Sequence, residues 1–231
     1  MEKKEKVGIP ALYVSICVVL LYFIWPYFIS AILSMLSITG DMSLYLRLIA
    51  NFLLMFLIIL IYSNSLKNDL KSLKNNFGKL YLKGGKIFII GIILYTIVSS
   101  LVVELVPNGL NESVDNLLHI YDKSPFLLLL STVIYYPIVE ELVFKRTFKE
   151  FIKNKWLFIL ITAIINGSFE IMLSYTSVIN LINIIPAIVF YGILSYIYYD
   201  TDNIVVSISY RMFYNLIPCI GALLNVALIL F

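Results

Sequence analysis

The sequence is short of charge. Only 13% of its 231 residues are Asp, Glu, Lys or Arg, against about 25% in a soluble domain. With 61% hydrophobic residues and a mean hydropathy of +0.96, too few polar groups remain to cover a globule of this size. Much of the surface must face lipid, which excludes an ordinary soluble domain. Cysteine is also scarce: Cys17 and Cys219 both sit in apolar runs and read as small core residues, not as a disulfide. A single histidine, His119, gives no basis for a histidine-built metal centre, so neither metal nor cofactor is expected. The net charge of +3 is too small to argue for nucleic acid.

What is present is a series of long apolar runs. At about 20 residues per crossing, the chain suits an all-α polytopic transmembrane helix bundle of about 7–8 spans. The runs cover residues 10–33, 48–66, 87–103, 126 onward, 156–173 and 178–199, then a last stretch, 203–231, that crosses once or twice. No internal repeat or linker divides them, so residues 1–231 read as one membrane domain.

Charge distribution suggests an orientation. Residues 67–86 hold six lysines against one aspartate, and the leader carries Lys3, Lys4 and Lys6. Lys145, Arg146, Lys149, Lys153 and Lys155 form a third basic cluster. Basic loops stay on the cytoplasmic side, which places the N-terminus in the cytoplasm of a cell whose plasma membrane holds the protein. The acidic segment 104–123, with His119, then lies outside. Within the lysine-rich segment, Leu70, Leu73, Phe77 and Leu80 recur at helical spacing and suggest an interfacial amphipathic helix.

One stretch stands against this apolar background. Two adjacent carboxylates, Glu140 and Glu141, follow fourteen residues, 126–139, that carry no charge. Ionisable residues inside a membrane segment are expensive and mark functional sites. Asn166 and Glu170, and Arg211 and Asn215, are polar pairs at spacing i, i+4, so each pair shares a helical face. Glu141 and Lys145 have the same spacing, in the favourable order for an ion pair.

The stretch Pro137-Ile138-Val139-Glu140-Glu141-Leu142-Val143-Phe144-Lys145 resembles the Glu-Glu-x-x-x-Arg signature of the CAAX protease and bacteriocin-processing (Abi) family. These are intramembrane endopeptidases related to the type II CAAX prenyl protease. Asn166 to Glu170 falls where that family's Phe-x-x-x-His motif is expected, and Arg211 to Asn215 where its His-x-x-x-Asn motif is expected. The resemblance covers roughly residues 124–218. It implies a CAAX-protease-like fold, with Glu140 in the position of the base that activates water and Asn215 in that of an oxyanion donor. Family members act in CAAX processing, bacteriocin maturation or self-immunity, and membrane-protein regulation. The chain departs from the pattern at Lys145, in place of arginine, and at Glu170 and Arg211, in place of the two histidines.

Three readings of the set Glu140, Glu141, Glu170, Arg211 and Asn215 stay open. In the first, Glu170 and Arg211 form a buried ion pair, and the protein is a pseudoprotease in bacteriocin self-immunity or partner regulation. An unpaired charge at bilayer depth costs at least about 2.5 kcal/mol, so opposite charges in one bundle should meet. In the second, Glu140 and Glu170 share a proton and hydrolyse a membrane-anchored peptide or protein, with Arg211 and Asn215 on the oxyanion. In the third, the polar residues line a transport track. Besides such a substrate or a membrane-protein partner, only membrane lipids are expected to bind.

Overall fold

The computed structural model describes residues 9–105, 125–173, 181–182 and 184–229; of these, 9–12, 125, 128, 170–173 and 221–229 are described as backbone alone. His119 and most of the acidic segment lie outside the described residues. Seven helices are formed among those described: α1 (Ile9–Met35), α2 (Gly40–Ile61), α3 (Ser63–Leu105), the composite α4, α5 (Lys155–Leu173), α6 (Ile184–Thr201) and α7 (Ile204–Ile229). Helix α4 runs through Pro125–Leu129, Leu130–Tyr135, Tyr136–Glu140, Glu141–Arg146 and Thr147–Lys149, the second and fourth pieces being π-helical. The all-α transmembrane bundle expected from composition is what forms.

Four of the helices, α1, α2, α3 and α6, are long and apolar enough to cross a membrane outright. The outward faces of α1, α2 and α3 carry Leu20, Ile24, Leu53, Leu57, Ile89, Ile93 and Leu101, all exposed. An exposed apolar surface of this extent is what a lipid solvent requires. Helix α6 is the most enclosed of the four and packs between α5 and α3. Helix α7 lies against α3, α6 and α4, while α1 and α2 flank α4.

Two boundaries differ from the hydropathy reading. The second apolar run was expected to continue to residue 66, but α2 ends at Ile61. Tyr62 breaks the helix at φ −94° and ψ 12°, and its hydroxyl bonds Thr147 Oγ1 of α4 at 2.6 Å. The lysine-rich segment is the N-terminal part of α3, continuous with the third span except at Asn76, where φ −132° and ψ 28° bend it. A helix of 43 residues is about 64 Å long at 1.5 Å per residue, twice the hydrocarbon core of about 30 Å. Only its later part crosses; the part before Asn76 runs across the end of the bundle. The last stretch, open between one crossing and two, continues as a single helix to Ile229 with Pro218 inside it.

Side-chain bonds join the helix ends at the lysine-rich end. The α6–α7 turn presents Asp200 and Asp202, and lysines from three other parts of the chain reach them. Lys83 of α3 pairs with Asp200 at 3.0 Å, Lys155 of α5 with Asp200 at 3.8 Å, and Lys149 of α4 with Asp202. Asp69, the one acid of the lysine-rich segment, is buried and accepts the Ile204 N–H at 3.2 Å, so it caps the first turn of α7. Asn203 Oδ1 accepts the Val205 N–H at 3.1 Å and completes that cap.

Close approach of α3 and α6 depends on glycine. A Cβ at Gly91 would stand 2.5 Å from Ile193 Cγ2 and 2.6 Å from its Cγ1, atoms fixed by β-branching. Replacing Gly91 with valine should therefore cost about 1–3 kcal/mol of stability in detergent thermal scans. Gly78 meets nothing within 4 Å, and Gly78→Ala should stabilise by about 0.5–1 kcal/mol through helix propensity. Equal effects of the two changes would contradict this packing.

Candidate functional site

The site is built on the bulged middle of α4. Pro137 has no N–H to give, and its ring crowds the carbonyl four residues back. The helix widens just before it: the Tyr136 N–H bonds the carbonyl of Ser131, five residues earlier. A second widening covers Glu141–Arg146, where the Thr147 N–H reaches Leu142 O, again five back. Widened turns of this kind concentrate at functional sites because they re-aim side chains. Here they bracket Glu140 and Glu141, which point in different directions.

Glu140 joins three helices. Its Oε1 accepts the Tyr22 hydroxyl of α1 at 2.9 Å, and its Oε2 is held by Arg211 Nη2 of α7. Glu141 is fully buried: its Oε1 pairs with Lys145 one turn on, and its Oε2 accepts the Ser207 hydroxyl of α7 at 2.6 Å. Arg211 Nη1 stands 3.6 Å from Glu141 Oε1, so the guanidinium faces both glutamates. Tyr191 of α6 supports it, accepting from Nη2 at 2.9 Å, with the guanidinium carbon 4.9 Å from the ring centroid. Two carboxylates face two cations, and the cluster is neutral.

Burial makes that neutrality necessary. Lys145 and Glu141 are 0% exposed, Arg211 4% and Glu140 7%. Removing one member of such a set strands a charge and costs about 3–5 kcal/mol. An apolar and aromatic layer closes the cluster on the α1 side, where Tyr22, Phe23, Phe144 and Phe169 pack with ring centroids 5.0–6.0 Å apart. In and beside the cluster, Arg211 Nε, Arg211 Nη1 and Asn166 Oδ1 are buried without a hydrogen-bond partner among the described residues.

The other expected residues fall as follows. Asn166 is buried on α5, its Nδ2 donating to Thr162 O at 2.9 Å. Asn215 donates to the Thr132 carbonyl at 2.7 Å, which ties α7 to the first widened turn of α4. Glu170 lies on the last turns of α5, but its side chain is outside the described residues, and so is the expected Glu170–Arg211 pair. Among the described residues, Arg211 pairs with the two acids of the motif, Glu140 and Glu141. The Glu141–Lys145 pair forms as the spacing suggested, whereas Arg146 turns away to the Tyr198 hydroxyl at 3.1 Å.

Sequence reasoning missed Tyr22, Tyr191 and Ser207. Ser207 had a signal, since it precedes Arg211 by four and shares a face with Arg211 and Asn215. The two tyrosines had none among 17.

Residues 122–217 match the family model described as Type II CAAX prenyl endopeptidase Rce1-like. That segment, which holds Glu140, Glu141, Arg211 and Asn215, is similar to the CAAX protease family. Neither a search of curated proteins nor one of solved structures finds a match.

The network can be tested by removing charges singly and together. Arg211→Met should destabilise by about 3–5 kcal/mol, because Glu140 is left buried without its cation. Adding Glu140→Gln should recover most of the loss, since Glu141 and Lys145 still balance each other. A double-mutant cycle by denaturation in detergent measures the coupling. A double variant whose loss equals the sum of the two single losses would show that the two residues act independently.

Proposed function

We propose that this CAAX-protease-like membrane protein works as a pseudoprotease, binding a membrane protein or membrane-anchored peptide without hydrolysing it. The observation that carries the reading is the clamp on Glu140, whose two carboxylate oxygens are taken by Tyr22 and Arg211. A general base must reach a water and accept its proton. An arginine stays charged at any working pH and occupies a carboxylate oxygen that a water would need. Histidine at the same place can pass a proton on; arginine does not. Self-immunity against a bacteriocin, or regulation of a partner in the membrane, is the role that the family resemblance suggests. The setting we propose is the plasma membrane with the N-terminus in the cytoplasm, from the lysine-rich α3 segment and the basic end of α4.

A second reading keeps hydrolysis. Arg211 Nε and Nη1 are buried donors without a hydrogen-bond acceptor among the described residues, which is what an oxyanion site would need once Glu140 moved to bind water. The two readings separate on one comparison. Purified wild-type protein and Glu140→Gln, each shown folded by thermal scan, are incubated with membrane-anchored peptides, and the products are resolved by mass spectrometry. The pseudoprotease reading expects no cleavage by either. Cleavage by wild type that is lost in Glu140→Gln would overturn it in favour of hydrolysis.

A further inference from the structure

The first part of α3 has two dissimilar faces. Asp69 is buried toward α7, and Leu66 and Leu73 are partly buried beside it. Beside that face Lys67, Leu70, Lys71 and Lys74 are exposed, as is Phe77 just past the bend at Asn76. Because the one aspartate of the segment is turned inward to cap α7, no other acid in the segment offsets those lysines. Lys83 is tied to Asp200, but none of Lys67, Lys71 and Lys74 has a recorded ion-pair partner among the described residues. Leu70 is 52% exposed and Phe77 61% exposed, so two large apolar side chains stand among the cations.

Position matters as much as composition. This segment is joined to the membrane-crossing part of α3 by the bend at Asn76 and to α2 by the single residue Tyr62. Two spans therefore fix it at bilayer-surface depth, across the end of the bundle. A helix with apolar anchors flanked by lysines, held at that depth, fits an interface of lipid headgroups. Lysines near such a surface draw anionic lipids, and their long stems let the apolar side chains sink while the ammonium groups stay at headgroup level.

We infer that the face formed by Lys67, Leu70, Lys71, Lys74 and Phe77 is a docking surface for anionic phospholipid headgroups. Leu70 and Phe77 enter the acyl boundary, and the three lysines hold lipid phosphates. The bonds from Asp69 and Asn203 make this strap part of the foundation of α7, the helix that carries Ser207 and Arg211.

The test uses the full chain with Cys17→Ser and Cys219→Ser, and a spin label at Phe77→Cys. It is reconstituted into phosphatidylcholine vesicles with and without phosphatidylglycerol. Power saturation with oxygen and with a water-soluble nickel chelate reports the depth of the label. The expected result is a label inside the bilayer boundary, deeper when phosphatidylglycerol is present. That difference should be lost in Lys67→Gln/Lys71→Gln/Lys74→Gln and kept in the corresponding triple arginine variant. A label equally exposed to the nickel chelate in both membranes would overturn the inference and point to a protein partner in the aqueous phase. A label buried to the same depth in both would overturn the anionic preference.

Discussion

Every part of the site depends on one constraint: charges removed from water must cancel within hydrogen-bond reach. Glu140 and Glu141 are adjacent in sequence, and two neighbouring carboxylates in an apolar bundle would repel and desolvate together. Arg211 from α7 and Lys145 from α4 itself cancel them. The geometry of four helices follows. Helix α7 must approach α4 closely enough for Arg211 to face both acids, and α6 must place Tyr191 under the guanidinium. Helix α1 supplies Tyr22 to the oxygen of Glu140 that Arg211 leaves free.

The widened turns of α4 explain how adjacent glutamates serve different partners. In a regular helix, consecutive side chains diverge by about 100° but keep a fixed pitch. The π segments on either side of Tyr136–Glu140 shift that register, and Pro137 supplies the cause of the first by denying a backbone bond. Asn215 then donates to Thr132 inside this first widened turn. A residue that the family pattern assigns to an oxyanion is here bonded to the backbone of the helix it would serve.

Much of this was readable before any coordinates. Low charge and long apolar runs gave the membrane bundle, because lipid-facing surface leaves a compositional mark that no arrangement of the same residues removes. The spacings of Glu141 with Lys145 and of Arg211 with Asn215 placed those residues on shared faces. Hydropathy was weakest at boundaries: it carried the second span past Tyr62, since an aromatic residue at a helix end looks like one inside it. It also separated the lysine segment from the third span, although lysine is a good helix former and nothing there breaks the helix beyond the bend at Asn76. Tyr22 was invisible for a different reason. Its role is set by a contact 118 residues away, and one tyrosine among many in an apolar run carries no local signature.

The motif itself has a double meaning that the network makes explicit. In a peptidase, Glu140 would persist for the proton it accepts. In this chain it is also the counter-charge of Arg211, and Glu141 is the counter-charge of Lys145, so both acids are required by burial whether or not a bond is ever cleaved. Where an arginine stands in place of a histidine, the glutamate opposite is needed for stability, because losing it strands a cation that deprotonation does not neutralise. The pair of glutamates thus marks where the buried charge cluster lies, and the cations that face them decide what either acid can do.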